Sequence, residues 1–556
     1  MKKNFYLLMP AAALVLTGCS SKIKLTSDNF AVTPTPLEYV AGDVPATISV
    51  NVPSKVMKKK ATVECIPVLK WNGGSAASES FTIQGEKVEA NNTVISYKNG
   101  GSASMRFNVP FQEGMEKSDL YMQFNAKKGK KSINVPEVKI GYGTQCTAAL
   151  ITRAAQTANF AVAPDQYQRV ISQKQEAAIK FLIGQANLRG SELNSQNVKE
   201  FIETLKNIKS DEESLVLKNV EVSAYASPDG AYSVNERLAD KRGQVSEGYV
   251  NKQLKKAKLS TNVDTKFTAE DWEGFQQLVS ASNLQDKQVI LSVLSMYSDP
   301  EEREREIRNI SVVYKELAQA VLPELRRARM TINYDVVGRS DEQIIEQFGS
   351  DASQLSVEEL VYAANKVASN PSQKEAILKK TTQLFPKDAR AYNNLAVLAM
   401  QKGDNATAQN YLRQALSAGT SAESNINLGL MAIQNGQFAE AEQLIGKGAT
   451  AAAYDEALGN LYVAQGKYGQ AANKFAGAQA SNSAVLANIL AQNYADAQKV
   501  LGAIKTPDAV TYYLKAVLAA RMNNASDVKS NIAKVAELDS KLAERAANDI
   551  EFANFK

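Results

Sequence analysis

The amino-acid sequence predicts a multidomain protein: an N-terminal β-sandwich, a central α/β domain carrying a helical insert, and a C-terminal α-helical solenoid. Three observations carry that expectation. Apolar and polar residues alternate over 30–146, strand-like and helix-like patterns take turns over 165–340, and an Ala-rich helical pattern repeats over 341–556. With 44% apolar and 22% charged residues, a chain of 556 has material for roughly three to four folded domains.

Residues 1–18 open with Lys2 and Lys3, continue through an apolar run, and end in Leu16-Thr17-Gly18 ahead of Cys19. A positive start, an apolar core too short to span a bilayer and a small-residue cleavage site are what a secretory signal needs. The segment resembles the bacterial lipoprotein signal, which is cut before the cysteine so that the new N-terminal Cys is acylated. The resemblance implies lipidation at Cys19 with palmitate-type chains, a lipidated tether over 19–29, and attachment to a lipid bilayer. No later run approaches the ~20 apolar residues of a membrane helix. Residues 20–25 hold no acidic residue; in some Gram-negative lineages an acidic cluster there marks export to the surface, so the expected address is the periplasmic face of the outer membrane.

Composition removes much chemistry. The chain has no histidine and three cysteines, which excludes His general bases, His metal ligands and a Cys-rich zinc site. In an oxidising periplasm Cys65 and Cys146 are candidates for a disulfide, and their spacing does not decide between that bond and two free thiols. Two Ser-x-x-Lys spacings occur, Ser21 with Lys24 and Ser526 with Lys529, and no Lys-Thr-Gly accompanies them. No phosphate loop is present, and a formal charge of +5 without a basic aromatic platform argues against nucleic acid. The expectation is no enzyme, cofactor or metal, with a Ser/Lys envelope hydrolase as the remote alternative.

The sandwich is predicted over 30–150. Ile48-Ser49-Val50-Asn51-Val52, Met105-Arg106-Phe107-Asn108-Val109 and Leu120-Tyr121-Met122-Gln123-Phe124 alternate at period two, with Gly-containing turns at 72–74, 99–101 and 128–130. The short strands suggest an immunoglobulin-like arrangement. Residues 20–150 hold 16 Lys+Arg against 11 Asp+Glu, much of the excess in Lys55, Lys58, Lys59 and Lys60 and in Lys127, Lys128, Lys130 and Lys131. These lysines read either as solvated turns that keep sheet edges from aggregating or as contacts to anionic headgroups beside the anchor.

Over 165–340 the expected order is β-α-β-α-β, a helical insert at about 270–325, then β. Strands are expected at 176–188, 215–225, 261–267 and 329–337, and helices at 197–208 and 232–254. Residues 225–245 read YASPDGAYSVNERLADKRGQV. This resembles the second-helix signature of OmpA-like, peptidoglycan-associated domains, with Gly230, Asn235, Leu238, Arg242 and Val245 on the pattern. Phe181, Ile183 and Leu188 fit that family's first strand, and residues 326–332 its last. The resemblance implies a peptidoglycan clamp in which Arg242 pairs with a carboxylate while an acid accepts from an ammonium. Ser227 stands where the family has aspartate, leaving Asp229 as substitute; Ser227, Asp229, Asn235 and Arg242 are the candidate wall-binding residues. The other reading is a tight turn, a helix cap and a surface arginine on a fold kept for assembly.

In the last part, the set Tyr392, Leu395, Ala396, Ala399, Gly403, Ala408, Leu412 recurs after 33 residues from Leu428 to Ile445, and again after 30 from Gly459 to Ala478. Turns fall at 402–404, 435–437 and 465–467, and shorter units follow near 484–501 and 509–536. These resemble tetratricopeptide repeats, whose stacked helix pairs bury a continuous core, so 341–556 is expected to fold alone and to offer a groove to a protein or peptide partner. The function expected is a non-enzymatic, lipid-anchored envelope scaffold linking the outer membrane to peptidoglycan or to that partner; the alternative is an assembly module without wall binding.

Overall fold

The computed structural model describes residues 23–284, 287–309 and 311–555; the signal segment and Cys19 lie outside the described residues. The chain forms two compact units, one of residues up to 164 with 364–556, the other of 165–363. In this division residues 341–363, expected with the repeats, fall in the middle unit, where the helices Asp341–Asp351 and Val357–Tyr362 are held: the Tyr362 ring lies 4.8 Å from that of Tyr167 and Glu359 pairs with Arg339 at 2.9 Å. The sandwich and the repeats belong to one unit rather than two.

In that unit a three-stranded sheet (Phe30–Thr33, Asp43–Val52, Gly101–Pro110) faces a larger one centred on Ala61–Trp71 and Ser118–Lys128. Alternation places Val44, Ile48 and Val50 of one sheet against Val63, Leu69, Leu120 and Met122 of the other in a common core. Ile23 and Leu25 are buried in the same core. The sandwich core therefore includes residues of the stretch expected to be tether. Cys65 and Cys146 do not pair; both are free and buried. Cys65 faces the sandwich core, where burial and then Glu64 push its thiol up to about 12, whereas Cys146 packs with Tyr39, Ala148 and Ala149.

The repeats are antiparallel helix pairs: Ala389–Gln401 with Asn405–Ala418, Ala422–Gln434 with Phe438–Lys447, Tyr454–Ala464 with Tyr468–Lys474, Asn482–Leu490 with Tyr494–Ala503, and Ala509–Arg521 with Ala525–Leu538. Gly403, Gly436 and Gly466 turn the first three pairs at φ of 74°, 72° and 76°, a conformation that costs glycine little. Small residues let the helices close up: a Cβ on Gly459 would meet the Phe475 ring at 2.8 Å.

The middle unit has a four-stranded sheet in the order Val170–Lys180, Arg327–Val337, Leu215–Tyr225, Val263–Thr268; the last pair is parallel and the others antiparallel. Helices Gln196–Ser210 and Tyr232–Ala257 share its core through Phe201, Leu205, Val250 and Leu254. The insert is helical with a core of its own, including Phe275, Ile290, Leu317 and Leu325. The expected strand-helix order holds throughout.

Candidate functional site

Two places gather polar side chains with a recognisable task, one in each unit. In the middle unit the strand Leu215–Tyr225 ends in Ala226-Ser227-Pro228-Asp229-Gly230, and the helix Tyr232–Ala257 follows. Ser227, Asn235 and Arg242 are all buried. The Asp229 carboxylate accepts from Ser227 Oγ at 2.5 Å and from Arg326 Nη2 at 2.9 Å, while Arg326 Nε donates to Ser227 Oγ at 3.2 Å. Asn235 Nδ2 holds the turn by donating to the Gly230 carbonyl at 2.9 Å. From the insert, Arg308 donates to the Asp229 carbonyl at 2.7 Å and pairs with Glu304.

Arg242 is not the surface arginine of the second reading. It is 1% exposed and lies over the Phe181 ring at 5.2 Å. Its guanidinium donates to three carbonyl oxygens, Gln185 (3.0 Å), Tyr225 (2.9 Å) and Leu182 (3.3 Å), and among the described residues no carboxylate pairs with it. Burial, then the charge of Arg326, pull its pKa down to about 10, with Asp229 acting the other way. The structure thus brings the four predicted residues to one corner of the sheet, where Asp229 answers Arg326 and Arg242 braces the 182–185 loop. Arg326 is the residue that sequence reasoning missed; the Arg326-Arg327-Ala328-Arg329 run that opens the last strand was its only signal.

In the other unit residues 147–163 of the same chain pack against the first helices of the repeat pairs. Leu150, Ile151, Ala154 and Ala155 are built into the repeat core. Beyond them the chain is extended and gripped by its backbone. Asn427 donates to the Ala161 carbonyl and accepts from the Ala161 amide, both at 2.8 Å; Asn394 treats Ala163 likewise, at 3.0 and 2.8 Å. Asn393 adds a bond to the Ala161 carbonyl (2.9 Å) and Asn365 one to that of Ala163 (3.0 Å). Gln434 reaches the Ala155 carbonyl at 2.9 Å, and Asn159 donates to Glu456 at 2.7 Å.

The geometry follows from two periods. Residues 394 and 427 are 33 apart, one repeat, so they present carboxamides from equivalent points on successive first helices; residues 161 and 163 are two apart, so an extended chain turns both the same way. A carboxamide matches a peptide group donor for acceptor. Asn393, Asn394 and Asn427 are fully buried, so these bonds form away from water. The groove expected to be open to an external partner is filled by the chain itself.

The helix pair Ala389–Gln401 and Asn405–Ala418, with its glycine turn and gripping asparagines, coincides with a match to the tetratricopeptide repeat family over residues 389–418. These residues are a tetratricopeptide repeat. Such repeats are protein-interaction and assembly modules. No curated protein matches the chain. Among solved structures, the APC/C hetero-tetramer Cut9-Hcn1 is similar at 15% identity and a TM-score of 0.29, over 36% of this chain and 44% of that one. PilF of Pseudomonas aeruginosa is similar at 16% identity and 0.27, over 39% and 100%. PilW, a type IV pilus biogenesis factor, is similar at 19% identity and 0.25, over 37% and 94%.

Proposed function

We propose that the protein is a non-enzymatic, lipid-anchored scaffold of the outer membrane, facing the periplasm and serving assembly of an envelope complex. The filled groove carries this reading. A groove in which Asn394 and Asn427 are spent on the chain's own backbone acts as a structural joint, and the segment they hold leads into the middle unit. A protein partner then docks on other faces of the repeats. Cys19→Ala tests the anchor: the variant is expected in the soluble envelope fraction, still folded, because the acyl chains alone hold it to the bilayer. Its recovery in outer-membrane pellets after a high-salt wash overturns the reading.

One observation supports wall contact by an OmpA-like middle domain as a second reading. Arg242 is a buried guanidinium that makes no ion pair among the described residues, and an arginine of that kind suits a carboxylate such as those of peptidoglycan stems. Reaching it requires the 182–185 loop to lift, since Leu182 and Gln185 now occupy two of its donors. The mature chain should sediment with purified peptidoglycan, and Arg242→Met should weaken this by about 1 to 3 kcal/mol. A wild-type chain that stays in the supernatant across a range of salt ends this reading and leaves the scaffold.

A further inference from the structure

The two lysine clusters, some seventy residues apart in sequence, meet at one end of the sandwich. Thr62 pairs with Lys127, Ala61 with Lys128, and Lys131 with Lys128, so Lys58, Lys59 and Lys60, which immediately precede Ala61, adjoin the hairpin that carries Lys127, Lys128, Lys130 and Lys131. Lys55 sits in the same connection, where its amide donates to the Tyr97 carbonyl at 2.7 Å. Seven of the eight lysines are exposed and Lys58 is half-buried. Among the described residues only Lys59 of these is in an ion pair, with Glu86 at 3.2 Å; Glu64 bonds to Ser80 and Asn125. Lys58 and Lys59 both lie over the Tyr97 ring, at 5.7 and 5.8 Å.

Edge protection accounts for a lysine on the short outer strand Lys131–Ile133, but not for Lys55 to Lys60, which lie in a connection between the two sheets. Two further placements bear on the purpose. The chain enters the sandwich near this end: Phe30 pairs with Val50 and its ring meets Phe124 at 6.2 Å, and Lys128 is four strand residues on, about 13 Å. Cys19 is four residues before the buried Ile23, a reach of at most about 14 Å. The repeats meet the opposite end, where Glu116 approaches Arg545 at 3.9 Å and Gln145 and Thr147 bond to Glu551. The strand Ser118–Lys128 separates these ends by roughly 33 Å.

We propose that the lysine-rich end of the sandwich is a docking surface for an anionic phospholipid bilayer, so that the sandwich stands on the membrane and holds the repeats off it. The location rests on the anchor reading, but the surface can be tested without it. Mature chain carrying Cys19→Ser, hence unlipidated, is sedimented with phosphatidylcholine vesicles with and without about 30% phosphatidylglycerol. Binding is expected to the anionic vesicles only, and to be lost between about 0.05 and about 0.5 M salt as screening shortens. Replacing Lys127, Lys128, Lys130 and Lys131 by Gln should lower the partition at least about tenfold, and replacing them by Arg should preserve it, which separates charge from folding. Equal partition into both vesicle types, no binding to either, or a Gln variant that binds like wild type overturns the proposal. Anionic binding by a chain whose Cys19 proves unacylated in cells keeps the surface and discards the anchor.

Discussion

The groove of the repeats and the arginine corner of the middle unit use buried polar side chains in opposite ways. In the groove, the carboxamides of Asn394 and Asn427 meet neutral peptide groups donor to acceptor, while Asn460, one repeat further on, keeps a buried Oδ1 with no hydrogen-bond partner among the described residues. At the corner, Arg326 and Asp229 pair directly, while Arg242 donates to three carbonyls and lies over the Phe181 ring, with no carboxylate in ion-pair contact among the described residues. A saturated neutral site has no further affinity to offer and holds shape; a buried charge without a counter-ion remains able to attract one. The repeats thus hold a segment of their own chain, and the middle unit keeps a buried arginine with no paired carboxylate among the described residues.

The strongest way to break this comparison is to empty the groove. Repeats 364–556 produced without residues 147–163 lose Leu150, Ile151, Ala154 and Ala155 from their core. Truncating a buried Leu or Ile costs about 2 to 5 kcal/mol each, so the loss should reach about 5 kcal/mol or more. Thermal unfolding of the fragment should be broad and at lower temperature, and sharpened by the 147–163 peptide added in trans. A fragment as stable and cooperative as one fused to that segment means that the groove is a true docking site with an exchangeable occupant.

A smaller effect probes the grip itself. Asn427→Ala removes both bonds to Ala161 and leaves its buried amide unpaired, although Asn393 still serves the carbonyl. The expected cost is about 1 to 3 kcal/mol in denaturant unfolding, with faster hydrogen exchange at Ala161 than at Ala163. Equal exchange at the two amides means that packing, not the carboxamides, holds the segment.

Much of this was legible from residue patterns. The strand Leu215–Tyr225 lies where alternation places it, and the repeat turns fall at the glycines that mark them. The first middle strand begins at Val170 rather than 176, because Val170 and Ile171 are exposed and so carry no one-sided alternation. The filled groove escaped for a different reason. Ala161 and Ala163 are hydrogen-bonded through their backbone, which leaves no signature in their own side chains; a trace was asparagine recurring at the repeat spacing, at 394 and 427. Arg326 was hidden in a run of three arginines whose partners lie about a hundred residues away.

The finest contrast is in pH dependence. The Glu304 carboxyl, beside Arg308 at the arginine corner, is held above the ordinary carboxylate range by burial and by Glu270, Asp229 and Glu301, against the pull of Arg308. The folded state then holds this proton more tightly than the unfolded chain does, whose value is about 4.3. Stability from this group is fully present below that value and declines as pH rises through the raised folded value. Glu304 is partly solvent-screened, so the decline should be well under about 1 kcal/mol. Glu304→Gln should flatten that part of the unfolding profile between about pH 4 and about pH 7. The cost of Asn394→Ala should stay constant over the same window, since carboxamides do not titrate and the bonds to Ala163 involve no ionisable group. A slope that survives Glu304→Gln, or an Asn394→Ala cost that varies with pH, shows that the charged corner and the neutral groove are not the separate kinds of site their geometry describes.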